Sequence, residues 1–192
     1  MHTIRAPFTR PRYPIRLGPL FAAVLAGASV TSALSAQAVG EYDLKAAFVY
    51  NFARFIEWPA RAFKEPGDPI KVCILGENPF GHALDNALHG KLAGSRTFVV
   101  EQISDVRRAN GCHILFVSAS ESKRVRAILE AVTSGCGVLT VGDLDGFAEQ
   151  GGVVNFTLER GKIRFEINVA AAGQQGLRVS SKLLGVAKIV RI

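Results

Sequence analysis

Between residues 70 and 141 the chain repeats one pattern. Short apolar runs at 70–76, 97–103, 113–118 and 137–141 alternate with stretches of helical spacing at 80–88, 105–109 and 121–133. Strands that alternate with helices at this pitch predict a parallel sheet with helices on both faces. Ser120 stands where a helix N-cap belongs, and Gly135 where that helix would end.

The flanks vary the theme. Over 41–58, Leu44, Phe48, Phe52, Phe55 and Ile56 recur at three- and four-residue steps, which predicts a helix, with Lys45, Arg54 and Glu57 off the stripe. Pro59 closes it, because proline disfavours helical geometry in the residue before it. Residues 153–158 and 162–168 read as a β-hairpin, with Arg160-Gly161 at a turn that needs positive φ. On its second arm Ile163, Phe165 and Ile167 point one way and Arg164, Glu166 and Asn168 the other. Helices are expected at 169–174 and 181–190, the last capped by Ser180 or Ser181 and suited at its end to Lys188 and Arg191. The fold class expected is α/β: a single domain, a mostly parallel sheet flanked by helices, with a C-terminal antiparallel β-hairpin.

The first 38 residues have a different grammar. Residues 1–16 carry Arg5, Arg10, Arg12 and Arg16 and no acid, 17–34 are apolar, and Ser35-Ala36-Gln37-Ala38 has the A-x-A cleavage pattern. These are the three parts of a secretory signal peptide. The expected domains are a signal peptide at 1–38 and a mature periplasmic domain at 39–192. The chain's +7 charge is misleading, since four of its 23 Lys+Arg and none of its 16 acids lie in the leader, leaving +3. That balance, with no basic run interleaved with aromatics, argues against nucleic acid as a partner.

Three cysteines follow the leader: Cys73, Cys112 and Cys136. Their spacing fits no zinc pattern, so no metal is expected. Cys73 sits mid-strand and Cys112 just before a strand expected beside it. That placement suits a disulfide in an oxidising compartment, or two buried thiols. A Cys112-His113 thiolate pair is poorly aimed, because neighbours in a strand face opposite ways. Gly76-x4-Gly81 lacks the Lys and Ser/Thr of a phosphate loop, and Glu77 would repel an anion. Asp143 and Asp145 follow the fourth strand at the carboxyl edge, where ligands of open α/β sheets bind. With no histidine nearby, they read as turn residues before metal ligands. Glu166, on the hairpin's outward face, reads as solvated or as a ligand or partner contact.

Several segments resemble the YfiR-like family of periplasmic proteins. They are residues 45–59 (KAAFVYNFARFIEWP), 70–76 (IKVCILG), 112–117 (CHILFV), 137–143 (GVLTVGD), 162–168 (KIRFEIN) and 177–184 (LRVSSKLL). The resemblance spans the mature chain in order. It implies a non-enzymatic regulator without a cofactor: a periplasmic repressor that binds the sensor part of an inner-membrane diguanylate cyclase, lowers cyclic di-GMP and restrains biofilm growth. It also implies dimers and dependence on disulfide state. By position, Cys73 and Cys112 match a cysteine pair of the family, and Glu166 matches a residue in the region linked to repression and to a surface pocket. A second family cysteine pair near the hairpin has no counterpart between Phe147 and Asn155.

On this reading Glu166, Asn168, Phe55 and Trp58 are the expected partner or ligand contacts. Glu166→Lys would then weaken partner binding with little loss of stability. Two alternatives remain open at the level of sequence: a periplasmic sensor of a small-molecule ligand, and an enzyme using Cys136 or Asp143 and Asp145.

Overall fold

The structure, a computed structural model, describes residues 25–132 and 136–191. Most of the expected leader and the expected helix stop at Gly135 lie outside the described residues. The chain divides into two compact units, 1–36 and 37–192. Among the described residues no helix is long and apolar enough to cross a membrane.

The elements run α1 (Leu25–Phe55), β1 (Ile56–Glu57), a 3-10 turn at Ala60–Ala62, β2 (Ile70–Leu75), α2 (Ala83–Leu88) and β3 (Phe98–Ile103). A second 3-10 stretch, Val106–Gly111, precedes β4 (Ile114–Val117), and a third, Ala119–Arg124, leads into α3 (Val125–Ala131). Then come β5 (Leu139–Gly142), β6 (Val154–Glu159), β7 (Lys162–Asn168), α4 (Val169–Gln174), β8 (Arg178–Val179), α5 (Ser181–Leu184) and β9 (Lys188–Val190).

Seven strands form one sheet in the order β3-β2-β4-β5-β6-β7-β9. Neighbours are parallel except β6 and β7, which form the antiparallel hairpin. Its two-residue turn has φ of 50° at Arg160 and 73° at Gly161. Two positive φ values give the turn the twist of the strands it joins.

Strand alternation splits the core in two. Val72, Ile74, Ile114 and Phe116 face one way and pack with Ala46, Val49, Phe52 and Ala53 of α1. Cys73, Leu75, Leu115 and Val117 face the other way and pack with Val125 and Ile128 of α3. Strands covered on both faces read as near-continuous apolar runs, which is why β4 is wholly apolar and β2 is apolar but for Lys71 near its start.

Four expectations need correction. The first helix ends at Phe55, because Ile56 and Glu57 pair with Val179 and Arg178. Leu44, placed on its buried stripe, is exposed, and Lys45, placed off it, is buried. Ser120 does not cap α3: its hydroxyl accepts the Glu77 amide, 3.0 Å away. The last helix is only α5, capped by the Ser180 hydroxyl accepting from the Leu183 amide. After Gly185 the chain turns, and Lys188, Ile189 and Val190 pair in parallel with Glu166, Ile167 and Asn168. A free strand edge on β7 wins over the helical spacing of so short a segment.

Candidate functional site

Two neighbourhoods hold the site residues that the sequence singles out. The first lies where α1 gives way to β1. The Phe55 carbonyl accepts the Ser180 amide at 2.9 Å, and Pro59 opens the 3-10 turn at Ala60–Ala62. Trp58 is thereby held half-buried, its indole Nε1–H donating to the His113 carbonyl at 3.3 Å. The His113 ring is a clamp. Its Nδ1 accepts the Lys71 amide at 3.0 Å, and its Nε2 lies 2.9 Å from the Ala62 carbonyl. An acceptor role at Nδ1 places the proton on Nε2, which donates to Ala62.

Burial pushes the His113 pKa below the ordinary histidine value. The Ala62 carbonyl opposes this, Arg96 and Lys71 add to it, and Asp68 works against it. Phe63 stacks on the imidazole with centroids 4.3 Å apart, and the Arg96 guanidinium lies 3.5 Å from the Phe63 centroid. A groove of about 670 Å³ opens beside them, bordered among others by Arg54, Ile56, Trp58, Phe63, Lys64 and Arg96. Phe55 is half-buried, with the Arg54 guanidinium 5.7 Å from its ring, and is not among the described residues that border the groove.

A disulfide joins Cys73 to Cys112, with Cα atoms 5.9 Å apart. Cys112 immediately precedes His113, and Cys73 lies two residues beyond Lys71. The covalent link and the His113 bonds therefore clamp the same pair of strands. Cys136 is a free, half-buried thiol.

The second neighbourhood surrounds Glu166. It is not the solvated residue that simple alternation predicts, because the loop from Asp143 to Gly152 folds over that face of the hairpin. Gly142 and Gly152 make this possible: a methyl on Gly142 would meet the Phe147 ring at 2.8 Å, and one on Gly152 would overlap it. The Leu144 amide donates to Asn155 Oδ1 at 3.2 Å, and Asn168 Nδ2 donates to the Ala148 carbonyl at 2.8 Å.

Asn168 also caps α4, its Oδ1 accepting the Ala171 amide at 2.9 Å. It is a buried internal fastener, not a surface contact. Glu166 receives the Lys188 ammonium at 2.7 Å and the Asn155 amide at 3.5 Å. That carboxylate raises the Lys188 pKa. Glu166→Lys would set a second ammonium against Lys188, so the expectation that it spares stability does not fit this geometry.

At the mouth of the same loop sits a network that sequence spacing does not reveal. Asp143 Oδ2 accepts the Tyr42 hydroxyl at 2.5 Å and pairs with the Lys45 ammonium at 3.1 Å. Lys45 also reaches Glu41 at 2.6 Å. Burial first, then the Asp143 carboxylate, drives the Tyr42 pKa far above its usual value. Asp143 was visible as a carboxylate at the sheet edge. Its partners lie about a hundred residues earlier, and no local signal links them. Asp145 is exposed. The Gly76 turn is filled: a methyl there would run into Ser120 and Glu121.

No curated protein matches the chain. A crystal structure titled as a conserved domain protein from Vibrio cholerae O1 biovar El Tor strain N16961 aligns with a TM-score of 0.49 at 11% identity, covering 64% of this chain. The chain spans about 55% of that protein's own length. A family model described as YfiR/HmsC-like matches residues 42–188. That family comprises periplasmic, non-catalytic regulators associated with membrane diguanylate cyclases. The match runs from Tyr42 in α1 to Lys188 in β9 and takes in both neighbourhoods, and the chain belongs to the YfiR/HmsC-like family.

Proposed function

We propose that this protein is exported by its leader to the periplasm, where it binds the sensor part of an inner-membrane diguanylate cyclase and holds it inactive, lowering cyclic di-GMP. The observation that carries the reading is the Trp58 groove. It presents an aromatic floor and three cations, Arg54, Lys64 and Arg96, with Glu65 as the one acid in its described lining. A large apolar anchor surrounded by polar groups is the anatomy of a protein-binding hot spot.

A periplasmic protein acts on a cytoplasmic catalytic site only by binding one state of the membrane partner more tightly than the other. Turning such a switch from mostly on to mostly off takes about 5.5 kcal/mol of differential affinity. Phe55 and Trp58 supply the direct contact. Glu166 and Asn168 act from inside, by fixing the hairpin and α4. A homodimer is compatible with this use of the groove.

The test is cyclic di-GMP in cells producing the protein or its Trp58→Ala variant at equal level. Repression by the natural protein and its loss in the variant support the reading. Unchanged cyclic di-GMP on removing or producing the natural protein contradicts it. A second reading, a small-molecule sensor that tunes the same partner, is favoured by the cavity beside Glu166.

A further inference from the structure

We propose that residues 59–68 form a pH-gated strap beside the Trp58 groove, closed while the His113 ring is neutral and released when that ring takes up a proton. The device stands on the geometry of the strap; its effect on docking rests on the function proposed above for the groove.

The strap directly follows Trp58 and supplies Ala60, Phe63, Lys64, Glu65 and Pro66 to the border of the groove. Among the described residues its backbone bonds are internal turns, from Ala62 to Pro59, Phe63 to Ala60 and Asp68 to Glu65. Side chains of the body therefore hold it down. Arg96 donates to the Glu65 carbonyl at 3.3 Å and to the Asp68 carbonyl at 2.6 Å. His113 Nε2 donates to the Ala62 carbonyl at 2.9 Å. The Phe63 ring lies 4.3 Å from the imidazole and 3.5 Å from the Arg96 guanidinium. Groups so near its centroid cannot share one face, so Phe63 is held between them.

Of these fastenings, the one that changes charge near neutral pH is His113. A guanidinium stays charged at any working pH. Asp68 accepts the Lys64 and Glu65 amides at 2.9 Å, and the Glu65 amide above all holds its pKa below the usual value. The His113 geometry admits only a neutral ring. Nδ1 accepts the Lys71 amide at 3.0 Å. A proton on Nδ1 sets N–H against N–H. An imidazolium has two donors and no acceptor, so turning the ring over does not relieve the conflict. Keeping an unpaired donor and a charge buried is costly. The charged ring therefore moves toward water, and the Ala62 bond and the Phe63 stack go with it.

The surroundings set the direction. Burial disfavours the charged ring most; Arg96 and Lys71 add to this, while the Ala62 carbonyl and Asp68 oppose it. Arg61, Lys64 and Glu65 of the strap are exposed. The strand that carries the ring's neighbours, β4, and the adjacent β5 bear no charged side chain. The strap is thus closed at neutral pH and opens below the ordinary histidine value of about 6.5.

The chain holds one tryptophan, so acrylamide quenching of Trp58 fluorescence reads the strap in the purified protein with no partner present. Between pH 7.5 and 5 the quenching constant is expected to rise along a one-proton curve with its midpoint below about 6.5, while far-ultraviolet circular dichroism stays unchanged. His113→Asn keeps an oxygen for the Lys71 amide but does not titrate, and is expected to lose the rise. The other described histidines, His82 and His89, flank α2 and are not among the described residues that border the groove. Titration of the His113 ring by NMR in the natural protein should give the same midpoint, which decides the matter should the variant not fold. A flat quenching constant overturns the inference. So does a rise that persists in folded His113→Asn, a midpoint different from that of the His113 ring, or a rise that comes only with loss of circular dichroism. A failure of docking would leave the curve in place, so the two readings fall separately.

Discussion

The His113 imidazole accepts the backbone amide of Lys71 at 3.0 Å, while the His113 amide donates to the Lys71 carbonyl at 2.9 Å. One residue thus binds its neighbour strand with both backbone and ring, and the ring's other nitrogen holds Ala62 in the segment that carries Trp58. Replacing it removes partners from two backbone groups at once. His113→Ala is expected to lose about 2–4 kcal/mol of stability in urea denaturation, in line with the cost of leaving buried donors and acceptors unmade.

The same ring predicts a pH dependence. The pKa of His113 is lowered in the fold, so the unfolded chain binds the proton more readily. Stability then rises with pH wherever the unfolded state holds more protons. The contribution of neutral His113 is fully present above the ordinary histidine value, about 6.5. It falls as pH drops below that value toward the depressed folded one. Denaturation midpoints measured from pH 7.5 to 5 should decline, and His113→Phe should flatten that decline. Asp105, held at about 2 by the Arg107 side chain and amide, titrates in a separate and more acidic window.

Much of the fold was legible because its signals are local. Residues 169–174 are helical as expected, and Arg160-Gly161 makes the tight turn, since glycine and strand period act within a few residues. The failures are tertiary. Lys188 suits a helix end by its sequence, yet the open edge of β7 recruits it as a strand residue beside Glu166. Glu166 alternates outward in its strand, yet a glycine-shaped loop more than ten residues earlier covers it. Lys45 lies off the apolar stripe and reads as solvated, yet it is buried, and Asp143 meets it there. A single sequence reports which face a side chain takes but not what later arrives on that face.

The buried Lys45–Asp143 pair has a distinctive mutational signature. Lys45→Met leaves a carboxylate uncompensated in the interior and is expected to cost about 3–5 kcal/mol. Lys45→Met/Asp143→Leu removes both charges and should recover most of that loss. A double-mutant cycle by chemical denaturation measures the coupling.

The Cys73–Cys112 link spans 39 residues of chain. Closing a loop of that length restricts the unfolded state by about 4 kcal/mol in the chain-entropy model. Cys73→Ala/Cys112→Ala should lose about that much. Added reductant should destabilise the natural protein and leave the variant unchanged, which denaturation with and without dithiothreitol checks.

Docking through the Trp58 groove is tested most directly by capture from detergent-solubilised membranes of the cells that make the protein. The natural protein should retain a diguanylate cyclase. The Arg54→Glu variant, changed at an exposed cation of the groove and expected to keep the natural melting temperature, should release it. Equal retention by both proteins, or capture without any cyclase, would contradict the reading.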